Sequence, residues 1–399
     1  MAITISGNGD MSGNYQFAGN VDVTGDTDLN GKLEVPAGDT ASRPATGQAG
    51  EIRFNTDTGS MEYWSTQDST PQWRPIDEKP IIQLDVDYLV VAGGGGGGGG
   101  YRGGGGGAGG YRTSYGTGNV SGGNSPVETA ITVTTGSSST YDIIVGAGGA
   151  GGGAYDGTTT GKQGSNGSNS KFATVTSLGG GGGGHYGSTI GQGLNGGSGG
   201  GEGHYSDAYT GGSGTAGQGF DGGQTSSATS SGQCGAGGGG AGGVGETGGP
   251  QGHHGDGGVG QISTIITSAL ATTHSVGEVD SGNVYFAGGG GGGAYGSGAG
   301  GVNPVGGLGG GRGPDIPWNS PNSLGSAANG VTNTGGGGAG GPDAVIGATG
   351  GSGVVILRYP SSYTATFSSG VTHVTATIGS DKVSIVTATS STSETVYWS

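Results

Sequence analysis

The residues with the most chemical character in this chain are large polar rings and guanidinium groups set into runs of glycine. Tyr101-Arg102 and Tyr111-Arg112 stand ten residues apart, and His185-Tyr186 and His204-Tyr205 interrupt or follow glycine runs. Tyr115, Tyr155, Tyr209, Tyr295 and Trp318 are similarly placed. Tyr, Trp and Arg give contact area at low entropic cost, and flat rings stack on sugar faces. Non-catalytic recognition by Tyr101, Arg102, Tyr111, Arg112, Tyr115, Tyr155, His185, Tyr186, His204, Tyr205, Tyr209, Tyr295 and Trp318 is therefore one expectation. The other is that these rings seal the edges of whatever the glycines build.

Catalytic and metal chemistry find little support. His253-His254 with Asp256 lacks a strand or helix to fix ligand geometry. Glycine runs match dinucleotide fingerprints trivially, with no helix following, and Gly161-Lys162-Gln163 fails a phosphate loop at its third place. Gly197-Ser198-Gly199 and Gly212-Ser213-Gly214 do not sit on a strand-to-helix elbow. Glu202, Asp207, Asp221, Glu246 and Asp256 are too scattered to read as a paired acid and base. The expectation is no enzyme, no metal and no cofactor. Cys234 is the single cysteine, so it has no intrachain disulfide partner and reads as a small packing residue.

The elements that must hold these residues are dominated by backbone. Of 110 glycines, ten precede residue 92 and two follow residue 353. Runs such as Gly93 to Gly100, Gly179 to Gly184 and Gly288 to Gly293 carry no side chain to bury. They fit no Gly-X-Y register, and 13 prolines are too few for collagen. What remains is a bundle of threefold extended helices of the polyproline II kind, with no internal hydrogen bonds and every N–H and C=O turned sideways to a neighbour. Strand-like stretches feed directly into the runs: Ile81 to Ala92, Lys171 to Leu178 and Asn283 to Ala287. Further strands are expected at Glu128 to Thr135, Tyr141 to Val145 and Val354 to Tyr359, while Ile262 to Val276 reads equally as a strand pair or a short helix. A bulky ring does not fit inside such a bundle, so the aromatics belong at turns, on the outside or on a flank.

Four regions result. Residues 1–40 are short strands and turns, a shaft or attachment region. Residues 41–80 are an aromatic-stapled hairpin, with Glu51 to Asn55 and Met61 to Ser65 flanking Thr56-Asp57-Thr58-Gly59. In that hairpin Ile52 with Phe54, and Met61 with Tyr63, are expected to form the inner face, covered by Trp64, Trp73 and Pro75. Residues 81–359 are the glycine-rich domain, and 360–399 a small β module. The fold class is all-β and irregular, a polyglycine II bundle bracketed by strands.

The net charge of −16 argues against nucleic-acid partners. No stretch reads as a signal peptide or a membrane span.

The stretches NVDVTGDTDLNGKLEV, RPATGQAGEIRFNTDTGSMEYWS, DYLVVAGGGGGGGG, YDIIVGAGGAGGG, NGSNSKFATV and GGSGVVILRYP resemble bacteriophage tail-fibre and adhesin proteins, especially those of marine and cyanobacterial phages. The resemblance implies a virion protein assembled in the host cytoplasm and acting outside the cell. Its partners would be itself as a homotrimer, other tail proteins, and a host polysaccharide or outer-membrane protein. Three other readings stand beside it. A non-viral extracellular filament shares the composition. An ice-binding protein would show a stricter tripeptide repeat, and a depolymerase would need paired carboxylates in a groove.

Overall fold

The computed structural model describes residues 35–66, 70–76, 82–100, 102–116, 118–154, 163–185, 191–203, 210–226, 234–249, 255–294, 304–315, 326–342 and 345–399. Two compact units divide between Pro80 and Ile81. The expected shaft at 1–40 lies outside the described residues up to position 34.

In the first unit, Ile52–Asn55 pairs antiparallel with Ser60–Ser65, which pairs with Gln72–Pro75. Trp64 and Trp73 meet edge to face, 5.6 Å between centroids. The buried face is not the expected one. Arg53, Asn55, Glu62 and Trp64 are buried, while Ile52 is exposed and Phe54, Met61 and Tyr63 are half-buried. The physical reason is a charge cluster. Glu62 accepts hydrogen bonds from Arg43 and from Asn55 Nδ2 (2.8 Å), and Arg53 stands 3.9 Å away. Arg53 also lies over the Trp73 ring. A buried carboxylate is retained when paired and hydrogen-bonded in this way. Burial alone would raise the Glu62 carboxyl pKa; Arg43, Asn55 and Arg53 outweigh it and hold the group below its ordinary range.

The second unit is built on one sheet with both faces covered. Its strand order is Val371–Ile378, Asp381–Thr389, Val354–Pro360, Gln83–Val91, Tyr111–Thr113, and Ile131–Thr134 also pairs with the start of Gln83–Val91. A second sheet runs Val175–Ser177, Ser170–Phe172, Tyr141–Ile144, Thr395–Trp398, Ala365–Phe367. Leu84, Val86, Tyr88 and Val90 enter one core with Phe172, Leu357, Tyr359 and Trp398. Trp398 is the hub, edge-on to Tyr141, Phe172 and Tyr359 at 5.8–6.1 Å. Leu89 and Val91 enter the other core, with Ile265, Ile266, Ala271 and Phe286 from the segment 261–286. Burial on both sides is why Tyr88 to Ala92 reads as a continuous apolar run rather than an alternation. Strands from residues 361–399 join both sheets, so this segment shares its core with the strands that lead into the glycines.

Two local expectations change. Lys171 to Leu178 is not one strand but a hairpin that turns at Ala173, whose φ is 50°. The undecided stretch after Ile262 becomes the helix Ser268–His274. Thr267 caps its start by accepting from Leu270 N, and Ser275 ends it in the left-handed region.

Past the sheets the chain becomes rods. None of Gly93 to Gly99 has a positive φ. Their amides point in three directions with a three-residue period: Gly93 and Gly96 donate to Ser168 and Ser165, Gly94 and Gly97 to Gly351 and Ala348, Gly95 and Gly98 to Gly107 and Gly104. Their carbonyls accept from three other rods. Gly180 and Gly183 bond to the first pair, Gly149 and Gly152 to the second, Gly338 and Gly341 to the third. This is the sideways bonding of a threefold helix, with every backbone N–H and C=O from Gly93 to Gly98 paired. A Cβ at Gly93, Gly96 or Gly99 would strike the carbonyls of Ala147, Ala150 or Gly153. At Gly94 and Gly97 it would strike Gly336 and Ala339, and at Gly95 and Gly98 it would strike Gly181 and Gly184. Side chains are therefore excluded on every side of this rod.

Strands pass into rods without slipping. Val91 pairs with Tyr111 in the sheet, and Gly95 and Gly98 then bond Gly107 and Gly104 in the same register. Ile143 pairs with Phe172, and Ser168 and Ser165 then bond Ala147 and Ala150. Gln261 pairs with Phe286, and Gly289 and Gly292 then bond Gly258 and Gly255.

Where a rod has no further neighbour, side chains stand in for it. Asn166 Oδ1 accepts from Gly182 N and Asn169 Oδ1 from Gly179 N, each at 2.9 Å, while Asn166 Nδ2 donates to Asn195 O. Asn195 Oδ1 accepts from Ser213 N, Asn329 Oδ1 from Thr349 N, and Asp221 Oδ1 from Gly214 N.

Candidate binding end of the glycine bundle

The bundle has two unlike ends. At the near end the rods merge into strands. The chain begins the unit there: Ile82 exchanges bonds with Thr135, and Gly136 donates to Trp398 O. Ser399 is tied back beside them through Thr364. At the far end the rods reverse. Gly100, with φ 81°, donates to Val345 O, and Gly103 leads back down the bundle. Lateral bonds cross this end, from Gly103 to Gly341, Gly293 to Gly103, and Gly235 to Gly293.

The expected site residues divide between these ends. Arg102 and His185 stand at the far end. Arg102 is half-buried with φ 69°. His185 is fully buried, with Nδ1 2.7 Å from Gly99 O, so it plugs the bundle instead of facing outward. Tyr101, Tyr155, Tyr186, His204, Tyr205, Tyr209, Tyr295 and Trp318 lie outside the described residues. Their nearest described chain neighbours, Gly100 and Arg102, Ala154, His185, Gly203, Thr210, Ala294 and Asp315, flank rod ends on the far side.

Tyr111, Arg112 and Tyr115 sit instead at the near end, where they join sheets to rods. Tyr111 is fully buried and donates its hydroxyl to Ile262 O. Burial pushes its phenol well above the ordinary tyrosine range. Arg112 grips Glu128 through Nε (2.7 Å) and Nη2, and its Nη1 donates to Thr176 O across the sandwich edge. Tyr88 donates to the same carboxylate. The Tyr115 ring lies under the Arg358 guanidinium at 4.6 Å. These three seal the junction, because rings need apolar neighbours that strands supply and rods do not.

Other far-end groups also serve the backbone. Glu202, almost wholly buried, accepts from Thr225 N at 2.8 Å. Cys234 bridges to Ala294, and burial pushes its thiol up to about 11. His253 and His254 lie outside the described residues, while Asp256 caps Val305 N. Among the described residues no group of three His, Cys, Asp or Glu is placed to hold a metal ion. Sequence reasoning missed the capping side chains altogether. Their signal was present as a three-residue spacing, Gln163, Asn166, Asn169, with glycine or serine between.

A family model for a glycine-rich domain matches residues 79–360. No curated protein and no solved structure matches the chain.

Proposed function

The chain belongs to the glycine-rich domain family, and from that premise we propose that it is a non-catalytic structural protein of a phage tail fibre that recognises the host surface with the far end of its rod bundle. The observation that carries this reading is the polarity of the second unit. The rods merge into paired strands at the near end and turn back at the opposite end. A scaffold braced by sheets at one end and turning at the other is suited to display, since binding concentrates on loops held by a rigid frame. Described residues next in sequence to the remaining aromatic positions, such as Gly100, His185, Gly203 and Ala294, stand at rod ends on that far side. A homotrimer, other tail proteins, and a host polysaccharide or outer-membrane protein are the partners this reading supplies; nucleic acid and membrane insertion are not among them. Among the described residues no helix is long and apolar enough to cross a membrane.

The test is adsorption. Cells of a candidate host are incubated with purified protein before phage is added, and unadsorbed phage is counted. Protection that saturates with protein supports the reading. Unchanged adsorption on every host that the protein coats, or an absence of coating, overturns it.

A further inference from the structure

The side chains that cap the outer rods share a second property, which lies in the residue after them. Among the described residues every Asn-Gly or Asp-Gly pair is such a cap: Asn166-Gly167, Asn195-Gly196, Asp221-Gly222, Asp256-Gly257 and Asn329-Gly330. The bundle dictates the pairing. The cap must reach the amide of a neighbouring rod, and the residue after it must fit the lattice without a side chain. A Cβ at Gly167, Gly196 or Gly330 would strike Gly93 O, Gly181 N or Gly336 O. Each following glycine also donates its own amide, to Gly180, Ser213, Gly212, Val305 and Thr349 in the order of the pairs above. At three pairs the clamp closes on a single residue. Asn195 Oδ1 accepts from Ser213 N at 2.7 Å while Gly196 N donates to Ser213 O. Asn329 Oδ1 accepts from Thr349 N at 3.0 Å while Gly330 N donates to Thr349 O at 2.9 Å. Asp256 and Gly257 hold Val305 in the same way.

We infer that Asn166, Asn195 and Asn329 are sites of spontaneous deamidation, held in check by the assembled rods and released when a rod opens. Asparagine is a heat-labile residue, and a following glycine hinders the reaction least because it has no Cβ. The backbone nitrogen of Gly330, having lost its proton, attacks Cγ of Asn329. The N–Cγ bond forms, the Cγ–Nδ2 bond breaks, and Nδ2 leaves with a proton as ammonia. Water then opens the succinimide at either carbonyl, giving aspartate or isoaspartate. Water is the only co-reactant, and all three asparagines are exposed to it. In the folded bundle the nucleophile and the electrophile are both hydrogen-bonded to neighbouring rods, so the ring closes only after a rod lets go. Such local opening is easiest at the periphery of a structure. The product does not revert. Isoaspartate routes the backbone through Cβ, which lengthens the chain and breaks the three-residue register. At position 166 even plain aspartate costs a contact, since Asn166 Nδ2 donates to Asn195 O and a carboxylate oxygen would repel that carbonyl. Each outer rod thus records its own opening as a one-way covalent change in its cap.

The experiment holds the full chain at mildly alkaline pH, folded or in guanidinium chloride, and follows each site by peptide mapping with mass spectrometry. Isoaspartate is scored separately with an isoaspartyl methyltransferase. In the unfolded chain all three sites are expected to convert, with isoaspartate among the products. In the folded chain each is expected to convert more slowly by about tenfold or more, in proportion to how rarely its rod opens. Proline substitutions address one clamp at a time. Thr349→Pro removes the amide that binds Asn329, and Ser213→Pro the one that binds Asn195, while the φ of proline suits a threefold rod. Thr349→Pro is expected to speed conversion of Asn329 by about tenfold or more and to leave Asn195 at its folded rate; Ser213→Pro is expected to do the reverse. Thermal melts identify a variant that does not fold, in which case the other variant and the unmodified chain carry the test. The inference is overturned if the sites convert no faster unfolded than folded, or if no isoaspartate forms. It is also overturned if a folded proline variant speeds both sites equally, or neither.

Discussion

Gly94 donates its amide to Gly351 at 2.9 Å, in the register that pairs Val91 with Val354 in the sheet. The two chains leave the sheet together and remain bonded through Gly97 with Ala348 and Gly100 with Val345. The sheet thus sets the register of rods that have no side chains with which to set their own. In a flat glycine ladder register is only weakly specified; here the strands specify it.

Replacing one inner glycine tests this packing. A Cβ at Gly97 collides with the Ala339 carbonyl, which is backbone and has nowhere to move. Gly97→Ala is expected to destabilise the second unit by about 3 kcal/mol or more, on the scale of severe overpacking. Gly243→Ala is the control, because a Cβ there meets only the Val259 side chain at 3.3 Å and its amide at 3.6 Å. Denaturant melts of the two variants should separate clearly. Equal midpoints would show that the rods are not close-packed.

The capping side chains can be tested one at a time. Asn166→Ala removes the acceptor for the buried Gly182 amide. A loss of about 1–2 kcal/mol is expected from leaving that donor unsatisfied. Hydrogen exchange should show the Gly182 amide opening before those of Gly95 and Gly98, which lie deeper.

In the first unit, acid should act through Glu62. Its carboxyl is held below the ordinary value of 4.5, so its ionised form stabilises the fold above that pH, and the contribution is lost as pH falls through the lowered value. The indole NMR signals of Trp64 and Trp73 should report a transition below pH 4.5. Glu62→Gln should remove that step and destabilise the unit at neutral pH by about 3 kcal/mol, the cost of breaking a buried ion pair. An unaltered acid profile in the variant would place the transition elsewhere.

Cys234 should be inert in the folded chain. Burial, with Asp256 adding to it and Arg102 opposing it, keeps the thiol protonated at pH 8. A thiol-reactive reagent should label it slowly under native conditions and completely in guanidinium chloride. Rapid native labelling would mean that the far end of the bundle opens readily.

Much of the architecture was legible because glycine without a disorder-prone composition leaves few options. The runs after Ala92, Leu178 and Ala287 could be read as rods, since strand formers led straight into them. The hairpin at Ala173 was hidden, because Ala-Thr carries none of the usual turn residues. The inverted face of the first unit was hidden for a related reason. Alternation marks two faces but does not say which is inside, and a buried Glu62 is affordable only with Arg43 and Arg53 brought from elsewhere in the chain. Among the candidate site residues, composition placed rings outside the rods but did not assign an end. Tyr111 and Arg112 follow the second glycine run just as Tyr101 and Arg102 follow the first. Only the reversal after Gly100 puts Arg102 at the far end and sends Tyr111 and Arg112 back to the sheets.

The unbroken register has a mechanical consequence. Bonds between antiparallel strands, and between the rods that continue them, lie across the long axis of the bundle. A pull that slides one such chain along its partner loads the bonds from Leu89 through Gly100 in parallel, as a shear, instead of peeling them one by one. Stretching the unit between its two ends should therefore meet a single high rupture force, whereas prying adjacent rods apart sideways should unzip them at low force.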